Sequence, residues 1–208
     1  MKMVKRYGEY IRESVDLDIQ LLYASGRGDL NKVEELLDNG ADKDAKNDYG
    51  LSPLMYASSN GETEVVKLLL DSDADKNAES NDGRSPLLMA SQFGYTEVVK
   101  LLLEYGADKE AKSSAGQTPL ILASSNRHTE TVKLLLEHGA NINTYDKNNN
   151  SCVDYKCEGV WTKKYTQELI ITGQPQNIKF FSDKIGILPS LKLKYKEVIE
   201  MSEMGIFG

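Results

Sequence analysis

The sequence predicts an all-α solenoid: helix–turn–helix units in a row, with β-turn fingers between them and a divergent helical C-terminal cap. Three observations carry this. An eight-letter block returns at a fixed step of 33 residues, as NDYGLSPL (Asn47–Leu54), SNDGRSPL (Ser80–Leu87) and SSAGQTPL (Ser113–Leu120). A second block follows each in phase, TEVVKLLL from Thr63 and from Thr96 and TETVKLLL from Thr129. These apolar runs are too hydrophobic for lone surface helices and make sense only if neighbouring units bury them on several sides. Composition agrees, since 40% hydrophobic and 27% charged residues suit a folded globular chain rather than a disordered one.

Each element has a local reason. Ahead of the repeats, Met3, Tyr7, Tyr10, Ile11 and Val15 are spaced to form the apolar side of a helix, giving a helical extension over residues 1–17. Within a unit, the polar tetrad ending in Gly50, Gly83 or Gly116 reads as a tight turn. Ser52, Ser85 and Thr118 read as N-caps, with a proline next, at the position where its missing N–H costs nothing. The short first helix carries Ala57, Ala90 or Ala123 where another helix must approach closely. Gly61 and Gly94 are expected to end it with positive φ. Thr63, Thr96 and Thr129 read as caps of the second helix, with glutamate next, in the first turn, where the helix dipole favours an anion.

A 33-residue turn–helix–helix unit carrying Gly-x-Ser/Thr-Pro-Leu and Leu-Leu-Leu-x-x-Gly-Ala-Asp resembles the ankyrin repeat. Full units occupy 47–79, 80–112 and 113–145. Residues 18–46 form an N-terminal capping repeat, with Ala24-Ser25, Gly28, Leu36-Leu37 and Gly40-Ala41-Asp42 in register but Ile19-Gln20 where Ser-Pro should stand. Two departures from the family pattern matter. Met55, Leu88 and Ile121 replace the family's histidine after Pro-Leu, removing its turn-stabilising hydrogen bond. Arg127 replaces the glycine of positions 61 and 94, which predicts a local irregularity or a less stable unit.

The register then decays. Ser151 falls on the cap, Cys152 on the proline, Val153 on the leucine and Cys157 on the small Ser58/Ser91/Ser124 position. Residues 146–173 are therefore a degenerate repeat, with an inserted residue and Lys156 where earlier units have alanine. Residues 174–208 form a cap or tail with a helix over about 190–204, where Leu191, Tyr195 and Val198 fall on one face. Val153-x-x-x-Cys157 followed by Leu188-Pro189 is faintly similar to a suppressor-of-cytokine-signalling box, but the repeat register already explains Val153 and Cys157.

Several chemistries are excluded or disfavoured. The two cysteines, five apart, diverge by about 140° on a helix, so they read as buried structural thiols rather than a metal clip or a disulfide. His128 and His138 are explained by repeat position and helix ends, and no catalytic constellation or phosphate-cradling loop is present. We expect no enzyme activity, cofactor or metal. A net charge of −7 argues against nucleic-acid binding by bulk attraction. No apolar run reaches the roughly 20 residues of a membrane span, and no signal-peptide pattern opens the chain. The reading is a cytoplasmic protein, associated with the cytoskeleton in one version, monomeric by itself.

The resemblance implies a concave groove lined by turn tips and first-helix ends, and a partner protein bound there. Carried over position by position, the contact residues are Arg27, Lys46, Asp48, Tyr49, Leu51, Asn60, Asn81, Asp82, Arg84, Gln92, Phe93, Lys112, Gln117, Asn126 and Tyr145. Tyr49, Leu51 and Phe93 are costly to leave in water, and Arg27 and Arg84 complete an aromatic/arginine profile typical of binding hot spots. The alternative for Phe93 is simple packing on a neighbouring turn. The implied function is a non-catalytic interaction module, an adaptor or scaffold. A structural subunit of a large cytoskeletal or ciliary assembly is the alternative, and a ubiquitin-ligase adaptor with a degenerate box the remote one.

Overall fold

The computed structural model describes residues 17–142 and 144–152. Residues 1–16 of the N-terminal extension expected over 1–17, the helix expected over about 190–204, the second half of the degenerate repeat, Lys156, Val153, Cys157 and the Leu188-Pro189 pair lie outside the described residues.

The described residues form helices in pairs: α1 (residues 17–27) with α2 (Leu30–Asp38), α3 (Pro53–Asn60) with α4 (Thr63–Asp71), α5 (Pro86–Phe93) with α6 (Thr96–Glu104), and α7 (Pro119–Ser125) with α8 (Thr129–Glu137). No strand occurs among them. First helices stack on first helices, α3 on α5 on α7, and second helices stack on second helices, α2 on α4 on α6 on α8. The result is the all-α solenoid expected, two helical layers sharing one continuous core.

That core follows from the repeated letters. Val65, Val66, Leu69, Val98, Val99, Leu102, Val132 and Leu135 of the second helices are all buried against Leu54, Leu87, Leu120 and the alanines Ala57, Ala90 and Ala123 of the first. Alanine lets α3, α5 and α7 approach without a gap. Where α8 departs from the valine pattern, at Thr131, the buried hydroxyl pairs with that of Thr96 at 2.8 Å, so the polar substitution is satisfied across units.

Helix starts obey two rules rather than one. Ser52, Ser85 and Thr118 are N-caps in extended conformation, and their hydroxyls accept from the backbone N–H of Met55, Leu88 and Ile121. The second helices correct the expectation for Thr63, Thr96 and Thr129. These threonines are the first helical residues, and the caps are Glu62, Tyr95 and His128, none of which makes a side-chain cap bond. The Thr63 and Thr96 hydroxyls instead donate backwards to the Gly61 and Gly94 carbonyls. The chain enters each helix through a backbone bond, from Glu62 N–H to Ala57 O and its counterparts, and that bond leaves threonine inside the first turn.

Gly61 and Gly94 do adopt φ of 79° and 76°. A side chain at either would collide with the residue stacked above, because a Cβ on Gly61 would lie 2.6 Å from the Tyr95 ring and one on Gly94 2.4 Å from the His128 ring. Arg127 takes the same left-handed conformation, with φ 62°, and α7 stops one residue earlier than α3 and α5. The irregularity expected there is present.

Candidate protein-binding surface

Each turn preceding a first helix is built on itself before it touches a neighbour. Gly50 N–H donates to Asn47 O at 2.8 Å, closing the turn, and Gly83 and Gly116 repeat the bond at 2.9 and 2.8 Å. Asn47 Oδ1 accepts from the Tyr49 and Leu51 N–H groups, Ser80 Oγ from Arg84 N–H, and Ser113 Oγ from Gln117 N–H. These side chains brace the turn in a chain that lacks the family histidine. Met55, Leu88 and Ile121, which replace that histidine, are fully buried.

Neighbouring turns are then joined tip to tip. Asn81 N–H donates to Tyr49 O, Ser114 N–H to Asp82 O and Lys147 N–H to Ala115 O, each at 3.0 Å. Asn81 Nδ2 adds a bond to Asp48 O, and Lys46 Nζ reaches Glu79 O at 2.9 Å. The fingers form a ladder whose rungs are backbone bonds, so the tip side chains whose backbone makes the rungs, Tyr49, Asp82 and Ala115, can differ from unit to unit without breaking them.

The centre of this surface is a connected polar group. Asp82 accepts from Ser80 Oγ and pairs with Arg84 Nε at 2.8 Å, while Arg84 Nη1 donates to Gln92 Oε1 at 2.7 Å. Next in sequence to Gln92, Phe93 is 50% exposed, its ring centroid 6.2 Å from that of Tyr95. The ring contact found is thus with the next residue but one in its own unit, and half of the phenyl stays in water. Tyr49 is 72% exposed at its finger tip. Leu51 is half-buried against Met55, Ala78 and Met89.

The remaining positions divide by role. Arg27, Asp48 and Lys112 are exposed. Tyr145 is marginally so, and Gln117 is half-buried. Asn60 and Asn126 are exposed but tie down carbonyls, Asn60 Nδ2 donating to Gly26 O at 2.8 Å and Asn126 Nδ2 to Leu122 O at 2.9 Å. Position-by-position transfer missed Tyr23, 64% exposed, together with Ile19 and Tyr95. The signal for Tyr23 was available: it holds the register position of Tyr56, Met89 and Leu122 on the first-helix row.

His128 Nε2 meets Gln92 O at 2.9 Å and His138 Nδ1 meets Leu134 O, both at helix ends. Among the described residues no group of three or more His, Cys, Asp or Glu side chains is arranged to hold a metal ion. Cys152 is fully buried, with its Sγ–H facing Ile142 O at 3.9 Å, a packed cysteine as expected. No described helix is long and apolar enough to cross a membrane.

Two helical layers, a ladder of fingers and the recurring Gly-x-Ser/Thr-Pro-Leu frame define a repeat solenoid. A family model of ankyrin repeats matches in three copies, over residues 21–113, 79–146 and 109–157, and the chain belongs to the ankyrin-repeat family. A search of curated proteins returns no match. Ankyrin repeats in general mediate protein–protein interactions, and the family is typically non-catalytic.

Proposed function

We propose that this protein is a non-catalytic adaptor that binds a partner protein across its finger tips and first-helix ends, centred on Arg84, Gln92 and Phe93. The observation that carries the reading is the half-exposed Phe93, next in sequence to the Gln92 that together with Asp82 fixes Arg84. An apolar ring in water is a cost that docking removes, and an arginine held in place loses little entropy on binding. The Asp82–Arg84 pair is too exposed to stabilise the fold appreciably, which leaves orientation of the guanidinium as its role.

The test is a double substitution, Phe93→Ala with Arg84→Glu. Neither side chain is buried, so the fold and melting temperature are expected to hold while partner affinity falls by about tenfold to a hundredfold. Unchanged affinity would move the interface to the second-helix face or to residues beyond 152.

A further inference from the structure

Among the described residues the finger ladder begins at the turn of Asp48 and Tyr49. Three fingers receive a neighbour's backbone: Tyr49 O, Asp82 O and Ala115 O accept from Asn81, Ser114 and Lys147. By the same register the N–H of Asp48 should donate to a carbonyl upstream, yet among the described residues it meets none. The capping repeat explains why. Residues 17–19 correspond to Gly50–Ser52 but are already helical, so α1 begins at least three residues ahead of its counterparts.

Beside Asp48 lies a cavity of about 510 Å3 between α1 and the segment from Asp42 to Asp48. Its apolar wall is Ile19, 45% exposed, and Tyr23, 64% exposed, with Leu22 and Tyr56 behind them. Three carboxylates stand around it, Asp18, Asp42 and Asp48, of which Asp18 Oδ1 accepts from Asp42 N–H at 2.7 Å. The lysine at its rim, Lys46, directs its ammonium to Glu79 O. An unused backbone donor, an apolar-aromatic wall and an acidic rim thus meet in one place.

We infer that this end of the ladder takes an extended, basic segment of a partner protein as an added finger. The segment's carbonyl accepts from Asp48 N–H, continuing the rungs. One apolar side chain enters the cavity against Ile19 and Tyr23, and a flanking lysine or arginine meets Asp18, Asp42 and Asp48. Edge addition supplies affinity through the backbone and selectivity through alternate side chains, and the acidic rim selects a basic segment over an acidic one. The inference rests on the partner-binding reading of the finger side but uses a different part of it from the Phe93 centre.

The probe is a short acetylated Val-Arg-Val-Lys-Val peptide, with Val-Glu-Val-Glu-Val as its counterpart, titrated into the 15N-labelled full-length chain. Saturable shifts are expected at the amides of Asp48, Asn47, Ile19 and Tyr23 with the basic peptide and none with the acidic one. Asp48→Pro removes the donor at a turn position that proline favours, and should weaken binding by about tenfold. Asp48→Asn keeps the donor and should cost less, and Tyr23→Ala, a change at an exposed site, should weaken binding without disturbing the fold. The Phe93→Ala/Arg84→Glu variant should bind the peptide normally, which separates failure of this proposal from failure of the groove reading. Absence of saturable shifts at these amides, or equal binding by Asp48→Pro, overturns the inference. Binding only after removal of residues 1–16 would make the chain's own segment the occupant, and the partner assignment falls.

Discussion

At the scale of single residues, four serines stand out because they recur without a partner. Ser25, Ser58, Ser91 and Ser124 are fully buried, one per unit, and their hydroxyls make no hydrogen bond. A buried hydroxyl left unsatisfied costs about 1 kcal/mol or more. Alanine fills nearly the same volume, so Ser58→Ala and Ser91→Ala should each raise stability by up to about 1 kcal/mol in chemical denaturation. A loss from either substitution would mean that the hydroxyl has a partner after all. Their smallness was legible in the sequence, since each follows the unit's alanine. Their lack of partners was not, because it depends on how closely α3, α5 and α7 stack.

A second residue-scale feature is Glu110. Its Oε1 accepts from Asn141 N–H at 2.8 Å, the same unit-to-unit clamp that Asp44 makes with Asp75 N–H and Asn77 with Asp108 N–H. Burial pushes the Glu110 carboxyl above its ordinary value, more strongly than the Asn141 bond pulls it down. A carboxyl whose folded pKa is raised contributes stability below its unfolded value and loses that contribution as pH rises through the folded one. Glu110→Gln keeps the acceptor, as Asn77 does one unit earlier, and removes the buried charge. It should therefore raise the melting temperature at neutral pH and leave it little changed below the ordinary carboxylate range. A fall at pH 7 would show that the charge strengthens the clamp by more than its burial costs.

At the scale of elements, helix ends decide regularity. The non-glycine residues with positive φ among those described are Asp73, Arg127 and Asn149, and each occupies a position held by glycine in other units. Aspartate and asparagine tolerate the left-handed region through local hydrogen bonding; arginine does not. Arg127→Gly should stabilise the fourth helix pair by about 0.5–1 kcal/mol, the relief of the Cβ clash exceeding the extra entropy glycine loses on folding. No gain would mean that the Arg127 side chain offsets its own strain.

The same helix ends show why some elements were readable and others not. Ser52 was identifiable as a cap because proline immediately after it admits only one helical position. Thr63 was not, because threonine suits both the cap and the first turn, and the choice falls to the Glu62–Ala57 backbone bond. Tyr23 was overlooked because family contact positions cover only fingers, first-helix ends and the residue before the next turn. In this capping repeat, which has Ile19-Gln20 in place of Ser-Pro, Tyr23 of the row behind is exposed.

At the scale of the whole molecule, a solenoid's stability is a sum of unit and interface contributions, so local defects register locally. The fourth pair carries the shortened α7 and the strained Arg127, and native-state hydrogen exchange should find α7 and α8 less protected than α5 and α6. The best protection in α7 and α8 would contradict this. The alignment of units, by contrast, was plain from the 33-residue step, whereas the finger ladder that joins them runs through backbone atoms and leaves no letter pattern. The frame is thereby separated from the side chains of the finger tips and first-helix ends, and under the function proposed here those side chains, Tyr49, Arg84 and Phe93 among them, set what is bound.

The account's central claim is that binding resides in that finger-side chemistry. Proximity labelling in cells, comparing the full-length chain with its Phe93→Ala/Arg84→Glu form and with a version ending at Gly173, tests it most directly. The account predicts that the double substitution removes a defined set of labelled proteins while the melting temperature stays unchanged. A labelled set that survives the double substitution but disappears when the chain ends at Gly173 would contradict it.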